Sequence, residues 1–89
     1  MVQREITIIN KLGLHARAAA KFVTVASRFE SDIQLVRGNR QVNGKSIMGV
    51  MMLAAGRGTK LTIIASGADE ASAVQHLEEL INNRFGEEE

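Results

Sequence analysis

His15 and Arg17 lie close together in Asn10–Lys11–Leu12–Gly13–Leu14–His15–Ala16–Arg17, and their types suit phosphoryl chemistry. A neutral imidazole nitrogen is a nucleophile, and a guanidinium is a permanent cation whose planar fork matches phosphate oxygens. Gly13, just upstream, permits a tight turn before the histidine. By residue type alone, such a histidine is more often a solvated cap than a reactive group, so the surrounding elements must decide.

Before this stretch, Val2 to Ile9 alternates as a strand, with Val2, Ile6 and Ile8 on one face and Gln3, Glu5 and Thr7 on the other. After it, Ala18, Phe22, Ala26 and Phe29 recur at helical spacing, opposite Arg17, Lys21, Thr24 and Arg28. His15 therefore sits where a strand hands over to a helix. A helix start presents unpaired N–H groups and the positive end of the macrodipole, and both favour an anion. An imidazole, a cation and a row of amide donors in one turn suit a phosphohistidine.

The composition narrows the alternatives. At 89 residues the chain has room for a single domain, 1–89, with a modest core. It contains no cysteine, which excludes disulfides, thiol catalysis and cysteine–zinc sites and fits a reducing, cytoplasmic compartment. His15 and His76 are far apart, with no carboxylate-rich loop beside either, so neither a metal nor a cofactor is expected. The net charge of +1 does not predict nucleic-acid binding, and three Phe without Tyr or Trp give little to stack bases on. The first residues do not read as a signal peptide, and no apolar run approaches the roughly 20 residues of a membrane span.

The rest of the chain supplies the other elements. Asp32 to Arg37 alternates, Gly38–Asn39 is a two-residue hairpin turn, and Arg40 to Asn43 returns as a short strand. Ser46 is a good N-cap for a helix from Ile47 to Ala55. That helix is apolar nearly all round: Ile47, Val50 and Ala54 form one stripe, and Met48, Met51, Met52 and Ala55 crowd the adjoining faces. A short helix on a sheet can bury only one stripe, so the other should reach solvent as an adaptable, methionine-rich surface, unless the methionines simply fill an irregular core. Thr59 to Ser66 reads as a fourth strand. Asp69 caps a last helix with a buried stripe of Ala73 or Val74, Leu77, Leu80 or Ile81, and Phe85, with His76 off it and solvated. Gly86 should stop that helix, leaving Glu87–Glu88–Glu89 as a frayed acidic tail. The order β-α-β-β-α-β-α, with polar outer strand faces, makes a two-layer α+β sandwich with the helices on one side.

Two segments carry a resemblance. Asn10 to Arg17 resembles the active-site segment of the HPr family, the histidine phosphocarriers of the bacterial phosphoenolpyruvate-dependent phosphotransferase system. Val42–Asn43–Gly44–Lys45–Ser46–Ile47–Met48–Gly49–Val50–Met51–Met52–Leu53 resembles the family's regulatory serine and the helix after it. The similarity runs over nearly the whole chain, with both motifs in family order and spacing. One departure is Ala18, where the family usually has proline, a residue that pre-sets φ in a helix's first turn. Ala18 should loosen that turn slightly.

The resemblance implies an open-faced sandwich with an antiparallel sheet in order 1-4-2-3. It implies a carrier more than an enzyme. His15 accepts a phosphoryl group through Nδ1 from the system's first enzyme, Arg17 steadies it, and sugar-specific acceptor proteins receive it. It makes Ser46 the target of an HPr kinase/phosphorylase, and Ile47, Met48 and Met51 a docking patch on a monomer. A nitrogen-regulatory paralogue and a non-catalytic regulatory module are the alternatives; His15 argues against the second.

Overall fold

The computed structural model describes residues 1–87. The elements are β1 (Val2–Thr7), α1 (Ala16–Ala26), β2 (Asp32–Arg37), β3 (Arg40–Asn43), α2 (Ile47–Met52), β4 (Lys60–Ser66) and α3 (Glu70–Asn82), followed by a short 3-10 turn over Arg84–Gly86. The strands form one antiparallel sheet in the order β1-β4-β2-β3. Register pairs Ile6 with Leu61, Ile33 with Ala65 and Leu35 with Ile63, so the inward residues of the three long strands meet on one face. Those residues are buried together with Ala18, Ala19, Phe22 and Ala26 of α1, Val50 of α2, and Ala73, Val74, Leu77 and Ile81 of α3. Alternation with period two on the strands and 3.6 on the helices thus yields one core between sheet and helices. The same alternation turns Arg4 inward at the sheet edge, where its guanidinium meets Glu78 of α3 at 2.7 Å.

β2 and β3 match their sequence bounds, because Gly38 takes the left-handed φ of 59° that the tight turn requires. Four expectations need correction. α2 ends at Met52 rather than Ala55: the backbone reverses at Ala54, φ 50°, and the guanidinium of Arg37 donates to the carbonyls of Leu53 and Ala54 at 2.7 and 2.9 Å. The carbonyls freed at the helix end are thereby satisfied by a side chain, and the helix need not continue. In α2 only Val50 is buried; Ile47 and Ala54 are not, and the inward-packed partners are instead Leu53 and Ala55. Asp69 stands at the start of α3 but does not cap it with its side chain. Its carboxylate reaches instead to the neighbouring segment that enters β2, accepting from the Glu30 and Ser31 amides at 2.9 and 3.0 Å and from the Ser31 hydroxyl.

The fourth correction is the C-terminus. α3 stops at Asn82, and Arg84 and Phe85 both adopt φ 55°, a region costing a non-glycine residue about 1–2 kcal/mol. The turn places the Phe85 ring in the core, where burial returns roughly 2–3 kcal/mol. It also reverses the chain, so Glu87 comes back toward the start of α1 instead of fraying. Glu88 and Glu89, the remainder of the expected tail, lie outside the described residues.

Candidate functional site

Gly13 shapes the entry to α1. It is buried with φ 67°, and a Cβ there would stand 2.4 Å from the Ala55 carbonyl oxygen and 2.7 Å from the Gly56 Cα. The segment after α2 therefore packs directly against the turn, and Leu14 N–H donates to Ala55 O at 2.8 Å. Asn10, fully buried, closes the turn from inside, with Nδ2 donating to Gly13 O at 2.8 Å.

His15 follows as the N-cap residue of α1, in extended conformation, φ −71° and ψ 177°. Its imidazole makes no capping bond. The first helical bond is Ala19 N–H to His15 O at 2.8 Å, which leaves the amides of Ala16, Arg17 and Ala18 without helical acceptors. No acidic side chain occupies the first turn, so the positive end of the dipole is uncompensated from within the helix. Arg17 is exposed in that turn, and the structure gives it no ion pair among the described residues. The expected pair thus shares one helix start, the imidazole partly buried and the guanidinium in solvent. Ala18, in place of the family proline, is fully buried against the core.

What the sequence did not reveal is the ring's partner. His15 Nε2 lies 2.6 Å from Glu87 Oε2, and Glu87 Oε1 accepts from Asn10 Nδ2 at 2.8 Å. The Asn10 bond, then the His15 bond and the charges of His15 and Lys21, hold the Glu87 carboxyl below its ordinary range against the opposing effect of burial. Lys21, half-buried on α1, anchors this arm by donating to Phe85 O at 2.6 Å. His76 is exposed, with Nδ1 2.8 Å from Ser72 O and its ring tilted against Phe29 at 5.3 Å. Among the described residues no group of three or more His, Cys, Asp or Glu is arranged to hold a metal, and no helix is long and apolar enough to cross a membrane.

Comparison with known proteins decides the family. Residues 2–83 match the family described as PTS HPr component phosphorylation site. Over 89 residues, all of both chains, the sequence is 57% identical to phosphocarrier protein HPr of Cupriavidus necator. The chain belongs to the HPr family. An HPr crystal structure from Thermoanaerobacter tengcongensis matches all of both chains with a TM-score of 0.96 at 47% identity. An HPr dimer from the same organism gives a TM-score of 0.79 at 47% identity, covering 98% of this chain and 100% of that one. HPr proteins are phosphocarriers of the phosphotransferase system, which serves sugar transport, and not catalytic enzymes. The sheet order 1-4-2-3 with three helices is the HPr fold.

The second HPr motif lies on α2. Ser46 caps that helix, its Oγ accepting from Gly49 N–H at 3.1 Å. The preceding Lys45 is drawn to the Phe29 carbonyl at 2.7 Å. Ile47, Met48 and Met51 are exposed, Met48 to 72%, so the methionines are not core filler. Two further apolar side chains are exposed: Met52, next to Met51, to 64%, and Leu12, beside Gly13, to 66%. Met52 was visible as part of an over-apolar helix. Leu12 carried no periodic signal, being a loop residue.

Proposed function

We propose that this chain accepts a phosphoryl group on His15 from the phosphorylated first enzyme of the phosphotransferase system and passes it to sugar-specific acceptor proteins. The observation that carries this reading is the His15 imidazole at the start of α1, engaged through Nε2 only and set beside unpaired helix amides and the exposed Arg17. Nδ1 attacks phosphorus, the bond from phosphorus to the donor breaks, and its electron pair returns to the donor. The helix amides and Arg17 offset charge on the phosphoryl oxygens during transfer in either direction. Transfer must be reversible, so stabilisation has to stay moderate, and a partly open site suits that.

The working unit in this reading is one domain, 1–89, acting as a cytoplasmic monomer. Ile47, Met48 and Met51, with the adjacent Met52, form the docking surface for donor and acceptors. Ser46, at its edge, is the target of an HPr kinase/phosphorylase. A phosphate there meets the amides of a helix start, which tolerate it, but it sets a dianion beside the apolar patch and weakens association with the donor.

Incubation with phosphoenolpyruvate and the first enzyme should add one phosphate that is labile in acid and stable in alkali. His15→Ala should accept none, and Arg17→Ala should fold normally and transfer more slowly. Acid-labile phosphorylation of His15→Ala would refute the assignment.

A further inference from the structure

The carboxylate on His15 arrives from the far end of the sequence and is itself held in place. Phe85 is buried and Lys21 grips its carbonyl, which fixes the chain after α3 against α1. Asn10, buried and tied to Gly13 O, presents its remaining N–H to Glu87 Oε1 at 2.8 Å. Both of these partners are acceptors, so the Asn10 amide must turn its nitrogen toward them. Glu87 Oε2 is thereby aimed at His15 Nε2, 2.6 Å away. An ionised carboxylate only accepts, so Nε2 must carry the proton. Nδ1, which has no hydrogen-bond partner among the described residues, keeps its lone pair.

We propose that Glu87 is a positioning residue for phosphoryl transfer: through Asn10 it locks His15 in the Nε2–H tautomer, which makes Nδ1 the attacking nitrogen. The inference rests on the reading of His15 as phosphoryl acceptor and names the group that sets its chemistry. When Nδ1 forms its bond to phosphorus and the bond from phosphorus to the donor breaks, with its electron pair returning to the donor, the proton on Nε2 stays where it is. The ring then bears a positive charge, which the Glu87 carboxylate balances at hydrogen-bond distance. Onward transfer returns the pair to Nδ1 with the same proton in place, so neither direction needs a proton to move.

The test is the nitrogen-15 spectrum of the His15 ring in the full chain, at a pH where the ring is neutral, together with the rate of phosphorylation by the charged first enzyme. The wild type should show a proton-bearing Nε2 and a bare Nδ1. In Glu87→Ala the two ring signals should move toward each other as the tautomers exchange. The maximal transfer rate should fall about tenfold, the scale of one charge-assisted hydrogen bond, with little change in the donor concentration needed for half-maximal rate. Glu87→Gln offers one amide oxygen to two donors, Asn10 Nδ2 and His15 Nε2, so it should hold the ring less firmly than Glu87 and give a rate between wild type and Glu87→Ala. The melting temperature of each variant reports any purely structural loss. Unchanged ring signals in Glu87→Ala, or a wild-type ring protonated on Nδ1, would overturn the proposal. A locked ring with the phosphate on another residue would instead overturn the acceptor reading of His15, and the attacking role of Nδ1 with it.

Discussion

Gly13→Ala should be among the most damaging single-methyl additions available to this protein. The added Cβ would lie 2.4 Å from Ala55 O and 2.7 Å from Gly56 Cα, and both are backbone atoms that cannot swing aside. The left-handed φ of 67° costs an alanine about 1–2 kcal/mol. Moving the Ala55 carbonyl away breaks the Leu14 hydrogen bond, worth about 1 kcal/mol, and shifting packed backbone adds roughly 1–3 kcal/mol. The total of roughly 3–6 kcal/mol would lower the melting temperature of a chain this size by more than about 12 °C. Two controls separate the contributions. Gly38→Ala has a left-handed φ of 59° and open space around it, so it should cost only the conformational part, about 1–2 kcal/mol. Gly56→Ala has neither obstacle and should be neutral or stabilising by about 0.4–1 kcal/mol. Urea unfolding of the three variants provides the comparison. Equal losses in Gly13→Ala and Gly38→Ala would refute the claim that the segment after α2 is clamped onto the site's entry turn.

Other perturbations probe the surface and the far end of the sheet. Met48→Glu should weaken binding to the first enzyme with an almost unaltered melting temperature, because the side chain is exposed; a large stability loss would return the residue to the core. Ser46→Ala should lose the bond to the Gly49 amide and about 0.5–2 kcal/mol while transferring normally. Ser46→Asp should keep the fold and require more donor for half-maximal transfer; equal donor dependence in wild type and Ser46→Asp would leave the residue as a cap only. The Asp69 carboxyl is held below its ordinary value of 3.8, first by the Ser31 hydroxyl and then by the Glu30 amide. A depressed carboxyl contributes stability that is present above its ordinary value and lost as pH falls below it. Denaturation midpoints followed from about pH 5 to pH 2 should fall less steeply in Asp69→Asn than in the wild type.

The elements whose bounds could be read directly were those closed by local chemistry. Gly38 fixed the β2–β3 turn, and Ser46 fixed the start of α2, because each acts on its own neighbours in the chain. Strand order was beyond alternation, which shows faces but not neighbours; resemblance supplied it. The end of α2 depended on Arg37, a strand residue whose reach to the Leu53 and Ala54 carbonyls no local pattern encodes. Asp69 looked like a cap because Asp at a helix start usually is one, yet a competing set of donors at Glu30 and Ser31 drew its carboxylate away. Glu87 was the deepest miss at the site. Within three consecutive glutamates it read as solvated tail, and only the left-handed turn at Arg84 and Phe85 brings it back to His15.

The phosphoryl group, as we propose, travels on Nδ1 of His15. Phosphorus–nitrogen coupling in the nitrogen-15-labelled chain, recorded after charging by the first enzyme and phosphoenolpyruvate, observes that bond itself. A one-bond coupling to Nδ1 of His15 is expected, with Nε2 still bearing its proton, and the coupling should be lost when an acceptor protein is added. Coupling to Nε2, to His76, or to no imidazole nitrogen would contradict that assignment.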